Sequence, residues 1–571
     1  MNRRLAFGVT LLSLLASSGS VAQRPATPAY DLLIRGGTVY DGSGAAPYRG
    51  DVAVRGDRIA YVGPHAPGRA ARTIDGSGKA VAPGFINMLS WANESLLADG
   101  RGMSDTYQGV TLEVMGEGES MGPWNATMKR LDLQRQTDIR YPIRWTTLGQ
   151  YLEYLTRRGV TPNVASFVGA TTVRVHELGE KDVDPTAAQL VRMRRLVRGA
   201  MREGALGVGS SLIYAPANFA ETPELVALAH EGARCGGIYI SHIRDEGPKL
   251  LEAIDELVEI SRRSGAAAEI YHFKQAGLEN WGKIDAAIAR VDAARAAGLR
   301  ITADMYTYAA SSTGFDAAMP LWIQDGGLEA WVRRLKNPSL RARALADMRS
   351  PTASENAKLV VNEPDKVLLL GFKTAKLKPL TGKTLGEVAR ARGKSPEETV
   401  AELIAEDGTR IQVAYFSMSE DNVRREVGLP WMSFGSDAAS QAPEGVFLKS
   451  STHPRAYGNV ARLLGKYVRD EKAASLPDAI RRLSSLPATN LALKDRGWLK
   501  PGYYADIVVF DPAAIRDKAV FEKPQQLASG VRDVFVNGVQ VLKDGRHTGA
   551  KPGRFVRGPG WTGWPGGGAC H

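Results

Sequence analysis

Eight apolar segments, each closed by glycine or polar residues, run through the middle of this chain and restrict its fold more than any other feature. They are 81–89, 109–117, 163–169, 204–211, 237–244, 267–274, 300–308 and 431–437. Apolar runs of this length alternating with helical periodicity are the pattern of parallel strands joined by crossover helices. The stretch after the fifth segment shows the helical half of the pattern. Pro248 suits a first turn, Leu250, Leu251, Ile254, Leu257, Val258 and Ile260 form one apolar stripe, and Gly265 ends it. Eight such units predict an α/β fold: a (β/α)8 TIM-like barrel over 83–496, with its chemistry at the C-terminal ends of the strands.

Short alternating strands broken by Gly and Asp flank this middle, over 23–82 and 497–550, and are expected to form one small β-sandwich built from both termini. The long gap between the seventh and eighth segments, 315–410, reads as an inserted subdomain or lid. The Gly/Trp/Pro-rich tail, 551–571, reads as irregular, and no function attaches to it. At the other end, Arg3 and Arg4 precede an apolar run from Leu5 to Leu15, and Ser20-Val21-Ala22 supplies small residues. Residues 1–22 are therefore expected to be a secretory signal peptide cleaved after Ala22, too short for a bilayer span. The expected location is the periplasm or the exterior, with no stable membrane insertion after cleavage.

The 571 residues are 44% hydrophobic and 23% charged, which excludes collagen-like, coiled-coil and wholly disordered chains. The net charge of +12 is dispersed, with no basic stripe interleaved with aromatics, so nucleic acid is not an expected partner. Two cysteines, Cys235 and Cys570, exclude a Cys-rich zinc site and a disulfide framework. Cys235 reads as a small packing residue, and nothing in the sequence supports a bond to Cys570. Assembly into a homo-oligomer is left open.

The polar residues at segment ends carry the chemistry. His242 closes the fifth segment and His272 the sixth, one repeat apart, so their imidazoles should be neighbours. Glu117 closes the second segment and Asp437 the eighth. Two histidines and a carboxylate suffice for a catalytic zinc with an open coordination position. A further carboxylate can take the proton from water that the metal activates. Each residue also has a plainer reading: a hydrogen-bonded structural histidine, a turn at Gly435-Ser436-Asp437, or a solvated Glu117 beside Glu113 and Glu119. His65, His176, His230, His453, His547 and His571 lack such partners and read mostly as surface or loop residues.

Taken together, Asp31 to Val39, Val81-Ala82-Pro83-Gly84-Phe85, Gly236 to His242, Asn280-Trp281-Gly282, His453-Pro454-Arg455 and Pro501 to Asp511 resemble the amidohydrolase superfamily. Within it, the chain is similar to the D-aminoacylase, or N-acyl-D-amino-acid deacylase, group. The resemblance implies a barrel plus a small sandwich, zinc held by His242 and His272, and Asp437 as the catalytic acid and base. It also implies that Lys274, Tyr306 and Arg455 grip a substrate carboxylate, with Tyr308 as the alternative to Tyr306. A lysine point charge and an arginine fork suit such an anion.

Two departures from the family pattern stand out. Leu89 and Trp91 occupy the positions of a His-x-His pair, and Glu117 replaces a cysteine ligand. The implied centre is one zinc per chain held by Glu117, His242 and His272, with manganese or iron also suited to a glutamate ligand. The implied substrate is a small anionic amide: an N-acyl amino acid, expected to be of D configuration, or a dipeptide-like molecule. The same scaffold would also serve a cyclic amide, a lactone or a peptide bond, or a binding protein that has lost its chemistry.

Overall fold

The computed structural model describes Met1 and residues 29–570, so the signal-peptide reading of 1–22 lies outside the described residues. All eight expected segments contain strands, and every ladder among them is parallel. One run joins Phe85–Asn87, Val110–Met115 and Asn163–Ser166. A second joins Val168–Gly169, Gly207–Ser211, Ile238–His242, Ala268–Ile270, Ile301–Met305 and Met432–Phe434. Only Phe167 separates Asn163–Ser166 from Val168–Gly169.

At the other edge, the Met88 N–H donates to the Phe434 carbonyl at 3.1 Å, and the Asp437 N–H to the Leu89 carbonyl at 2.9 Å. The ladder thus returns to the strand at which it began. Nearly all of these strand residues are buried, as expected where helices cover a parallel sheet.

The helices between the strands start and stop where the side chains dictate. Leu148–Arg158 and Ala187–Glu203 each begin with a reciprocal capping box, Thr147 with Gln150 and Thr186 with Gln189. Leu250–Ser264 buries Leu250, Ile254, Leu257, Val258 and Ile260 and ends on Gly265 at φ +76°, a conformation that costs a side chain but not glycine.

Both termini contribute to a separate nine-stranded sheet. Its seam is Ile507–Phe510 lying antiparallel to Ala80–Pro83. The insertion is slightly longer than the 315–410 expected, because a strand pair closes its neck. Ser311–Gly314 pairs with Gln412–Tyr415, which pairs with Val367–Leu369. It has its own core, including Phe315, Trp331, Leu335, Val400, Ile404 and Val413.

The tail corrects one expectation. It carries almost no regular structure, but its backbone bonds the starts of successive strands: Gly553 N–H to Val160 O, Val556 N–H to Val164 O, and Gly558 N–H to Gly204 O, at 2.8–2.9 Å. This path brings Cys570 to Cys235, and the two form a disulfide across 335 residues of sequence. Among the described residues no helix is long and apolar enough to cross a membrane.

Candidate metal centre

Glu117, His242 and His272 converge at the C-terminal ends of three parallel strands. One potential ligand atom from each lies within 4.8 Å of the other two, and all three residues are buried. His242 is the last residue of its strand, paired in register with Ser211. Glu117 is turned inward between two glycines. At Gly118, φ is +67° and a Cβ would sit 1.9 Å from the Ser211 hydroxyl, so no other residue fits this turn.

His272 and Asp437 both adopt left-handed backbone conformations, at φ 35° and 48°. Such conformations cost about 1–3 kcal/mol each and persist where neighbours impose them. The neighbours here are the Asp304 carboxylate, which accepts the His272 N–H at 2.9 Å, and the Leu89 carbonyl, which accepts the Asp437 N–H.

A single oxygen, Oε1 of Glu117, lies 3.1 Å from His242 Nδ1 and 3.0 Å from His272 Nε2. The two rings stand 4.4 Å apart at 82°. Zinc bonds of about 2.1 Å in a tetrahedron place ligand atoms about 3.4 Å apart, so each nitrogen need move from the Glu117 oxygen by only a few tenths of an ångström to share a cation with it. One oxygen and two imidazole nitrogens suit zinc and equally manganese or iron.

The electrostatics agree with a site built for positive charge. Burial raises the Glu117 pKa, but hydrogen bonds and charge from the two imidazoles outweigh it and hold the carboxyl well below the usual range. Burial pushes His242 down. For His272, burial and the Lys274 charge act downward, yet Glu246 and Glu117 push it up to about 10.

Glu246, which the strand-end pattern did not single out, lies four positions after His242 and faces His272. Its Oε1 is 3.0 Å from His272 Nδ1. A ring that binds a cation through Nε2 carries its proton on Nδ1, and Glu246 is placed to accept it, the usual partner of a metal-bound histidine. Lys274 pairs with the same oxygen and lies 2.7 Å from His272 Nδ1. Its ammonium is therefore engaged at the back of His272 as well as lining the cavity.

Asp437 is held from two sides. Arg455 Nη2 lies 2.6 Å from Asp437 Oδ2 and also donates to the Asp437 carbonyl. The Trp91 indole N–H is 3.1 Å from Asp437 Oδ1 and 2.9 Å from Glu117 Oε2. Burial raises the Asp437 pKa against the opposing Arg455 charge. Nε and Nη1 of Arg455 are buried and find no hydrogen-bond partner among the described residues.

Tyr306 stacks its ring 4.3 Å from the Arg455 guanidinium, but its hydroxyl meets Met418 rather than the cavity. Tyr308, the alternative, is committed to Asp517 at 3.0 Å. His453 is neither a surface nor an idle loop residue. It is buried, donates to the Ala310 carbonyl, and accepts the Arg455 backbone N–H at 3.0 Å through Nδ1.

These groups line a cavity of about 410 Å³, with Ser312, Asp316, Arg410 and Gln412 of the insertion contributing one wall. A second cavity of about 470 Å³ adjoins it, sharing Glu119, Thr171, Ala215, Asp316 and Arg410, and is walled by Trp124, Met128, Leu328 and Trp331. A larger groove of about 900 Å³ runs between the insertion and Leu250–Ser264, but none of the candidate residues lines it.

The model of the amidohydrolase family matches residues 72–542. The chain is 32% identical over 539 residues to the D-aminoacylase of Alcaligenes xylosoxydans xylosoxydans, covering 92% of this chain and 97% of that one. It is 31% identical to the N-acyl-D-glutamate deacylase of the same organism, covering 92% and 96%. Among solved structures, a D-aminoacylase superposes with a TM-score of 0.78 at 32% identity, covering 92% of this chain and all of that one. That protein is described as having a binuclear metal centre with one-metal activation and second-metal attenuation. An N-acyl-D-glutamate deacylase from Bordetella bronchiseptica, complexed with zinc and a phosphonate inhibitor that mimics the tetrahedral intermediate, superposes with a TM-score of 0.75 at 29% identity, covering 92% and 99%. The strand-end ligand set and these full-length matches place the chain in the amidohydrolase family, within its D-aminoacylase group.

Proposed function

We propose that this protein is an exported, single-metal hydrolase of the amide bond in N-acyl amino acids of the D series, built on a (β/α)8 barrel. The observation that carries the reading is the convergence of Glu117, His242 and His272 on one point of a cavity that also holds Asp437 and Arg455. The closed parallel ladder supports the barrel. Export is supported by the leader-like residues 1–22 and by the Cys235–Cys570 disulfide, since such bonds persist in oxidising compartments.

A divalent ion held by the three ligands would supply Lewis acidity toward the substrate carbonyl and lower the pKa of water. The remaining work belongs to the chain. Asp437, desolvated and held by Arg455 and Trp91, accepts the proton of the attacking water and returns it to the leaving nitrogen. The Arg455 guanidinium lines the cavity beside Asp437, and its positive charge suits the substrate carboxylate. Glu246 is placed to accept the Nδ1 proton of His272 and so favour the ligating tautomer.

The test is turnover by purified protein, loaded with zinc or manganese separately, on matched N-acyl-D- and N-acyl-L-amino acids, dipeptides, cyclic amides and lactones. N-acyl-D-amino acids should exceed their L counterparts in kcat/KM by about 10²-fold or more, as a positioned carboxylate clamp allows. Equal rates on both enantiomers, turnover confined to rings or lactones, or substrate binding with no turnover would each refute the reading.

A further inference from the structure

We propose that Trp91 takes the place of a second metal ion: its indole N–H ties Glu117 to Asp437, and the ring limits the centre to one divalent cation. This rests on the single-metal reading above and deepens it.

Glu117 turns Oε1 to both imidazoles, leaving Oε2, and Asp437 turns Oδ2 to Arg455, leaving Oδ1. The two oxygens left over are the pair that Trp91 Nε1 contacts, at 2.9 and 3.1 Å. A cation bridging the metal ligand to the acid/base residue would need those same two oxygens. Two carboxylates facing each other with nothing between them repel, and the usual remedies are a shared proton or a cation. Here one shared N–H supplies the positive end of a dipole instead.

The Trp91 backbone is anchored, although its side chain is partly exposed. Its N–H donates to the Ala438 carbonyl at 3.0 Å, and helix Ala92–Ala98 starts immediately behind it. Leu89, two residues back, offers only hydrocarbon, and its carbonyl is taken by the Asp437 N–H. Among the described residues, Glu117–His242–His272 is the one group of three such side chains that could hold a metal. Trp91 is thus a positioning residue, and the centre should be indifferent to excess metal.

The test compares wild type, Trp91→Phe and the double variant Leu89→His/Trp91→His, each equilibrated with excess zinc, desalted, and assayed for zinc per chain by mass spectrometry. Activity is followed in parallel across a zinc titration. Wild type should hold one ion, with a rate that stays flat above saturation. Trp91→Phe keeps an aromatic ring, smaller than the indole, and loses the N–H. It should still hold one ion and lose about 10- to 100-fold in kcat at little change in KM, the signature of a misplaced acid/base group. The double variant should hold two ions and slow as zinc rises.

Wild type with two ions, Trp91→Phe with wild-type kcat, or a double variant that still holds one ion would each overturn the assignment of Trp91 while leaving the ligand triad standing. Wild type with no ion would remove the single-metal reading itself, and this proposal with it.

Discussion

Asp437→Asn is expected to lower kcat by about 10²- to 10⁴-fold, the usual contribution of a general acid–base group, while the metal content stays at its wild-type value. Asparagine suits this experiment for structural reasons. Position 437 lies at φ 48°, a left-handed conformation that Asn tolerates better than most residues. The side-chain amide oxygen can still accept the Trp91 indole N–H, so the geometry between Trp91, Glu117 and residue 437 is retained. What is lost is the ability to take a proton, together with the charge opposite Arg455. Steady-state rates across pH and zinc analysis of the same preparation check both halves. Undiminished kcat with bound metal would remove Asp437 from the chemistry.

The second large effect concerns the ligands. Replacing His272 should weaken metal binding by more than about 100-fold, the upper end of what losing an outer partner of a ligand costs, and abolish turnover with it. The replacement should be asparagine rather than alanine, because residue 272 also lies in the left-handed region, at φ 35°. An alanine variant would mix backbone strain with ligand loss. In His272→Asn the Lys274–Glu246 pair remains intact behind the site, so buried charge is not left stranded. The readout is the rise in melting temperature on adding zinc. Wild type should show it, because binding to the folded state alone stabilises that state, and His272→Asn should not. Retained zinc binding and activity in this variant would show that His272 is not a ligand.

How much of this was legible in the sequence follows from what each feature depends on. The strand segments and the placement of His242, His272, Glu117 and Asp437 depend on periodicity, since residues that end neighbouring parallel strands meet on one face. Their meeting could therefore be read one repeat at a time. Features set by side-chain direction could not. That Arg455 grips Asp437 with one nitrogen and leaves two free, that the Tyr306 hydroxyl points at Met418, and that Glu246 reaches back to His272 follow from rotamers and loop paths.

A glutamate four residues after a strand-end histidine, on the loop that caps it, is a signal that could have found Glu246. His453 lies in a loop but is buried there, and its partners are backbone groups, the Ala310 carbonyl and the Arg455 N–H, which no side-chain pattern records. The disulfide was invisible for a related reason. An irregular tail gives no periodicity, and only its hydrogen bonds along the strand starts bring Cys570 to Cys235.

Anomalous diffraction from crystals grown with zinc, recorded on both sides of the zinc absorption edge, bears most directly on the proposed chemistry. A single peak should appear about 2.0–2.2 Å from Glu117 Oε1, His242 Nδ1 and His272 Nε2 together. A map with no peak among these three atoms, or with its peak on other residues, would contradict it.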